Sequence, residues 1–219
     1  MLIAVTGMQR EAKLVRGRCG VIAAGSDNST LASKIEAAID RGARAILSFG
    51  ICGALSPELA VGVVVVGTDV MCQSERWRAD ETWTNTLANT YGAASGSVAG
   101  SDVVLLTEEL KAVLHQQTGA IAADMESHIV ARVASGRGVP FTVLRAISDA
   151  AHHTLPPAAA FALNKEGRID YSAVMLSLLD DPSQFGALIR TARDTNRAMN
   201  ALLRCLERLG PGLGCPYLV

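Results

Sequence analysis

Aromatic residues make up only 4% of this 219-residue chain, too few for the stacking platforms that hold single-stranded nucleic acid. An excess of one charge is missing too. The 20 Lys and Arg stand against 21 Asp and Glu, for a formal net charge of -1, and no long like-charge run could track a phosphate backbone. Nucleic acid is therefore excluded as a partner. No apolar run approaches the ~18–20 residues of a membrane-spanning helix, and the richest, residues 59–66, reads as a buried strand. The opening Met1-Leu2-Ile3-Ala4-Val5 has no basic leader and is too short for a signal-peptide core, which predicts a cytoplasmic protein. The five cysteines are scattered, with no Cys-x-x-Cys pair to hold zinc, and read as thiols of a reducing compartment.

Several chemical motifs are absent as well. No strand is followed by Gly-x-Gly-x-x-Gly, no Gly-x-x-x-x-Gly-Lys occurs, and there is no Ser nucleophile elbow. His115, His128, His152 and His153 lack metal-ligand spacing, so neither a metal nor an organic cofactor is expected.

What is present is a chain with 49% hydrophobic residues, enough for one substantial core. We read a single domain over residues 1–209, with 210–219 as a loose C-terminal tail. Short β-branched runs alternate with helix-period segments, the pattern of an α/β protein. Strands are predicted at residues 2–5, 20–24, 45–49, 61–66, 103–106, 120–123 and 141–147, apolar enough to be buried on both faces. Helices are predicted at 30–41, from the Thr107 cap to Gly119, at 126–135, at 171–179 behind Asp170, and at 183–208. Residues 72–100 mix Trp and Tyr with Ser, Thr, Asn and Gly, show no clear period, and read equally as a binding loop or a surface connection. In the last helix Phe185, Leu188, Ile189, Ala192, Met199, Leu203 and Leu206 make an apolar stripe, and Arg190, Arg193, Arg197, Arg204 and Arg208 a separate face. Packing on the core and weak contact with an anionic membrane surface are both open to such a helix.

Polar residues gather just beyond predicted strand ends, where open α/β sheets place their ligand crevices. They are Ser48-Phe49-Gly50-Ile51-Cys52-Gly53, Asp124-Met125-Glu126 and Arg145-Ala146-Ile147-Ser148-Asp149, with Glu11 after the first strand. Each carboxylate taken singly reads as a helix cap or a solvated charge. Together, these segments with Val61-Gly62-Val63-Val64-Val65 and Val139-Pro140-Phe141 resemble the nucleoside phosphorylase and nucleosidase superfamily over about residues 1–150. Residues 148–157 and the Arg-rich end look like its hopanoid-associated subgroup, which cleaves adenine from adenosylhopane.

The resemblance implies a three-layer α/β/α fold around a twisted, mixed, partly barrel-like sheet, assembled as a homo-oligomer. It implies that Met125 packs on a ribose whose hydroxyls Glu126 holds, and that Asp149 acts at the purine beside Ser148. Glu11 would orient an attacking water, Arg145 would lie near the nucleophile, and Gly50 and Gly53, within the segment that opens on Ser48 and Phe49, would line the sugar and base pocket. Breaking an N-glycosidic bond builds positive charge on the sugar and negative charge on the base. Asp149 is then expected to be a neutral acid in a dry pocket, and Glu126 to be ionised.

Gln9 and Arg10 stand where the nucleosidase branch often has acidic residues, and Cys52 and Ala54 replace smaller ones. Arginines at 10, 16, 18 and 145 would favour phosphate as a co-substrate, whereas Glu11 would favour water, so phosphorolysis and hydrolysis both stay open. The expected substrate is a small-molecule nucleoside, free or lipid-linked, with a methylthioadenosine or adenosylhomocysteine nucleosidase and a noncatalytic nucleoside-binding protein as alternatives.

Overall fold

The computed structural model describes residues 1–25, 28–161, 164 and 166–217. Strands β1 (Leu2–Thr6), β2 (Gly20–Ala23), β3 (Ala45–Ala54), β4 (Val64–Cys72), β5 (Glu75–Arg78), β6 (Ala94–Gly100), β7 (Ala122–Asp124) and β8 (Phe141–Asp149) form one sheet in the order β2-β1-β3-β7-β6-β4-β5. β8 lies off that path and pairs with β3 in parallel and with β4 antiparallel. The β3, β7, β6, β4 and β8 pairings therefore close on themselves as a mixed barrel, with β1 and β2 extending from β3. Closure removes sheet edges, and a site is then built where strands of the barrel end or bulge.

Both faces of the sheet are covered. Along β1 the side chains alternate between layers, with Ile3 and Val5 in one core and Leu2 and Ala4 in the other. The first layer is closed by α2 (Leu31–Asp40) and α5 (Ser127–Gly136), through Leu31, Ile35, Val130 and Ala134. The second is closed by α1 (Gln9–Val15), α3 (Glu81–Tyr91) and α7 (Phe185–Leu209), through Val15, Trp83, Leu87, Leu202 and Leu206. This is the three-layer arrangement the sequence implied. The remaining helices, α4 (Glu108–Thr118) and α6 (Tyr171–Asp180), begin at the expected caps: Thr107 Oγ1 accepts from Leu110 N–H, and Asp170 Oδ1 from Ala173 N–H.

Several expectations are corrected. Residues 103–106 form no strand; Val103 is exposed, and Val104 and Leu105 wall a cavity, which is why the run is apolar. Residues 61–63 are turn, and the strand starts at Val64. Residues 72–100 are regular: β5, α3 and β6 fill most of them. In β6, Gly96 and Gly100 replace larger residues because a Cβ there would meet Ile121 and His128. The last eight described residues are not loose. Leu213 is fully buried, its carbonyl accepts from Trp83 Nε1 (2.9 Å), and Tyr217 Oη donates to Asp80 Oδ2 (2.6 Å). On α7 the core side comprises Ala198, Met199, Ala201, Leu202, Cys205 and Leu206, while Leu203 is exposed.

Candidate active site

A cavity of about 550 Å³ opens where β3, β7 and β8 end, beneath α6 and the first half of α7. Its floor is polar, with Glu11, Asp124, Glu126, Lys111 and Asp149, and its outer wall is apolar, with Ile169, Val174, Leu178, Leu188 and Ile189. A wider surface depression of about 710 Å³ lies elsewhere, beside Arg44, Arg78, Asp80 and Tyr217. It touches none of the candidate carboxylates, so the chemistry belongs to the smaller cavity.

At one end of the floor, Glu11 occupies the third position of α1 and reaches back to the helix start. Met8 N–H donates to Oε2 and Ile51 N–H to Oε1, each at 2.8 Å. Glu11 is thus a helix cap and a cavity carboxylate at once, its position fixed by two backbone donors. Asp124, the last residue of β7, does the same for α5. Its Oδ1 accepts from the N–H groups of Glu126 (3.0 Å) and Ser127 (2.7 Å), and its Oδ2 accepts from Ser127 Oγ. Beneath them runs Arg145, 1% exposed. Nε lies 2.8 Å from Asp124 Oδ2, outside hydrogen-bond alignment, and Nη2 donates to Glu126 Oε2 (3.2 Å) and Ser48 Oγ (2.7 Å).

Burial opposes the Arg145 charge, but Asp124, Glu126 and Glu11 together more than offset it and hold the guanidinium protonated. The carboxylates respond the other way. Burial pushes the Glu126 carboxyl up to about 8, aided by Asp124 and Glu11 and only partly countered by Arg145. Glu11 is likewise raised by burial, with Arg145 and its backbone donors acting against the rise. Burial thus works against the ionised Glu126 that the reaction chemistry calls for.

At the other end, β3 and β8 run in register until Cys52 pairs with Ile147, after which Gly53 pairs with Asp149, leaving Ser148 as an extra residue. Such a bulge re-aims the side chains around it. Asp149 Oδ2 then lies against Gly53, where a Cβ would sit 3.0 Å away, and Ser148 Oγ donates to Oδ1 (2.8 Å). Asp149 is buried, and a cation is buried beside it. Lys111, 1% exposed, donates to Oδ2 at 2.6 Å and also to the carbonyls of Ala150 (3.0 Å) and His153 (2.8 Å).

Not every expected residue reaches the cavity. Glu11, Gly53, Met125, Glu126, Ser148 and Asp149 line it; Ser48, Phe49, Gly50 and Arg145 stand behind the wall. Phe49 is buried in the layer of α1, α3 and α7, on the far face of β3. Ser48 supports Arg145. Gly50, opposite Arg145 in β8, leaves room for that guanidinium, since a Cβ would lie 2.7 Å from Nη1 and collide with Glu11 Oε1. Arg145 sits within β8 and pairs with the carboxylates of Asp124 and Glu126.

Residues 3–180 match the family model of the phosphorylase superfamily. The chain belongs to that superfamily. Among its relatives, the 5'-methylthioadenosine/S-adenosylhomocysteine nucleosidase of Treponema pallidum (strain Nichols) is 27% identical, over 50% of this chain and 58% of its own, so the match spans little more than half of that relative. Two solved structures share the superfamily fold over nearly their whole length. Futalosine hydrolase of Helicobacter pylori has a TM-score of 0.68 at 17% identity, covering 95% of this chain and 96% of its own. S-adenosylhomocysteine nucleosidase of Streptococcus pyogenes, in complex with 5-methylthiotubericidin, has a TM-score of 0.66 at 17% identity, with the same coverage.

Within this superfamily member, sequence reasoning missed Lys111 and the apolar wall. Lys111 reads as one more charge in a polar helix, and its burial depends on a loop after β8 that carries no local signal. Leu188, Ile189 and Ala192 were visible as a stripe, but not as a cavity lining. Among the described residues no group of His, Cys, Asp and Glu is placed to hold a metal, and no helix is long and apolar enough to cross a membrane.

Proposed function

We propose that this protein cleaves the N-glycosidic bond of an adenine nucleoside carrying a bulky apolar 5' substituent, with water as the nucleophile. The observation that carries the reading is the division of one cavity into a floor with carboxylates at both ends and an apolar outer wall. In this reading Glu126 holds the ribose hydroxyls over Met125, Glu11 orients the attacking water, and Asp149, beside Ser148, delivers a proton to N7 of the departing base. The 5' group lies along α6 and α7, against Val174, Leu178 and Leu188. Water is favoured over phosphate because Arg145 is buried, does not line the cavity and is already paired with Asp124 and Glu126, so it is not offered to an anion there. No cofactor takes part in this route.

Adenosylhopane fits this description, and the subgroup resemblance makes it our candidate substrate. On α6, Tyr171 lines the cavity and is exposed, as are Met175, Leu176 and Leu179 on the same helix, and α7 exposes Arg190, Arg193 and Arg197. We include in the proposal a weak contact of this face with an anionic lipid surface, worth about 1 kcal/mol per arginine, by which a homo-oligomer in the cytoplasm would draw a lipid-linked substrate.

The test is to incubate the protein with adenosine, 5'-methylthioadenosine and a lipid-linked adenosine, with and without phosphate, and to measure adenine and the sugar product. Release of adenine, fastest from the lipid-linked substrate and independent of phosphate, is expected. A phosphorylated sugar overturns the choice of water. Preference for methylthioadenosine overturns the large apolar group. Cosedimentation with anionic but not neutral vesicles, lost at high salt, tests the surface contact.

A further inference from the structure

The Lys111 and Asp149 pair has no place in the scheme above, which needs a carboxylic acid at Asp149. All three N–H bonds of the Lys111 ammonium are occupied, by Asp149 Oδ2 and by the carbonyls of Ala150 and His153. Lys111 is therefore unable to donate to a substrate without releasing a partner, and it acts through Asp149. Asp149 Oδ2 accepts from Lys111, and Oδ1 lies 2.8 Å from Ser148 Oγ, whose single proton is shared between Asp149 and the Cys52 carbonyl (3.1 Å). A proton-bearing nitrogen therefore lies 2.6 Å from the Asp149 carboxyl.

We propose that Lys111 is the positioning and proton-storing residue of this site: it holds Asp149 as a carboxylate in the resting state and supplies the proton that Asp149 passes to the base. This rests on the assignment of Asp149 to the purine. As the C1'–N9 bond breaks and its electron pair goes to the purine, Lys111 Nζ passes a proton to the Asp149 carboxylate and Asp149 passes that proton on to N7, leaving Lys111 a neutral amine and Asp149 again a carboxylate. The neutral amine keeps two N–H bonds for Ala150 O and His153 O, and its new lone pair points at Asp149. The proton that the attacking water loses on bonding to C1' passes through Glu11 to solvent, and solvent returns one to Lys111 after the base leaves. Storage on nitrogen keeps the acid loaded at pH values where an unpaired carboxyl would have lost its proton.

Other titratable groups surround the pair. His153 feels the charge of Lys111 and also those of Asp194 and Arg190 on α7; burial, its largest influence, disfavours its charged form. The His152 ring lies 4.6 Å from that of His153. On β3 the buried Cys52 thiol, itself raised by burial, feels Asp149 as well as Arg145, Asp124 and Glu11.

Lys111→Gln retains amide donors for the carbonyls but removes the stored proton; Lys111→Arg retains a cation. Adenine release is measured from pH 5 to 10 for both variants and for His152→Gln/His153→Gln. In parallel, binding of 4-amino-5H-pyrrolo[3,2-d]pyrimidine, a base with N–H where adenine has N7, is measured at pH 6 and pH 8.5. In Lys111→Gln the alkaline limb of kcat is expected to move down by more than one pH unit, with KM changed less than threefold. Probe binding should fall at least tenfold at pH 6 relative to wild type, because a protonated Asp149 then opposes a donor. Lys111→Arg and the histidine variant should keep the wild-type limb. A uniform loss of kcat across pH in Lys111→Gln, or the same displacement of the limb in the histidine variant, overturns the proposal. Should Lys111→Gln fail to fold, Lys111→Met is read in the same way. Wild-type protein that neither releases adenine nor binds the probe overturns the reading of the site itself. Wild-type protein that does either, with Lys111→Gln sharing its pH profile, overturns the role of Lys111 alone.

Discussion

The two ends of the cavity floor carry their cations in different proportion. Around Asp149 one buried ammonium serves one carboxylate, whereas around Arg145 one buried guanidinium serves Asp124 and Glu126 and feels Glu11 as well. The first end is balanced and the second has an excess of acid. In a dry interior an uncompensated carboxylate retains its proton, so the excess appears as a Glu126 carboxyl pushed up to about 8. Reaction chemistry alone assigns the opposite pattern, an acid at Asp149 and a carboxylate at Glu126. At the acid-rich end, burial therefore favours a proton on Glu126 where the proposed reaction uses a carboxylate. In that scheme, ribose hydroxyls donating to Glu126 and a base accepting from Asp149 supply the difference on binding.

The strongest way to break this comparison is at the balanced end. Asp149→Asn keeps an amide oxygen for Lys111 to donate to, so the fold should survive, but the route for the proton is lost. Turnover is expected to fall by about two to four orders of magnitude, the scale of losing a general acid. Adenine release near the wild-type rate, from a variant with the wild-type unfolding midpoint, removes Asp149 from the chemistry.

At the acid-rich end the corresponding change is Arg145→Met. It leaves Asp124 and Glu126 buried without their cation, and breaking such a pair costs about 3–5 kcal/mol. Denaturant unfolding of the variant should show a loss of that size. A loss under about 1 kcal/mol, the range of exposed pairs, would mean that the cluster relaxes into water.

How far this contrast was legible in the sequence depends on where each partner comes from. Asp124, Glu126, Ser148 and Asp149 are at strand ends or junctions flanked by apolar strand, and the elements that carry them were identified. Extending β3 through Gly50 was missed, because the glycine that signals a turn here makes room for Arg145 and Glu11. The α3 helix shows the caps that revealed α4: Asp80 accepts from Trp83 N–H, and Gly92 takes a left-handed conformation at φ 72°. Its Thr82, Thr84, Thr86 and Thr90 hid it, since β-branched hydroxyl residues weaken helix propensity; Thr86 and Thr90 in fact donate back to carbonyls one turn earlier. Lys111 was invisible for a different reason. Its three acceptors come from residues 149–153, some forty positions away, and only the tertiary fold brings them to α4.

The mildest probe of the acid excess is Glu126→Gln, which removes one titrating group while retaining the shape and most contacts. Two readouts separate its roles. Turnover should fall by about one to two orders of magnitude, since a neutral amide does not favour the developing cation, and a 2'-deoxy substrate should lose less than the ribo substrate. Stability gives the second. A carboxyl raised from its ordinary value of 4.5 to about 8 binds its proton more tightly in the folded state. Its contribution is therefore fully present below the ordinary value and is lost as pH rises through about 8. Wild-type stability should thus decline between pH 5 and pH 8.5 by an amount of order 1 kcal/mol for each unit of the rise, and that decline should be smaller in Glu126→Gln. Chemical denaturation at the two pH values measures it. If both proteins lose stability equally, Glu126 is ionised throughout, and the excess acid is carried by Glu11 instead.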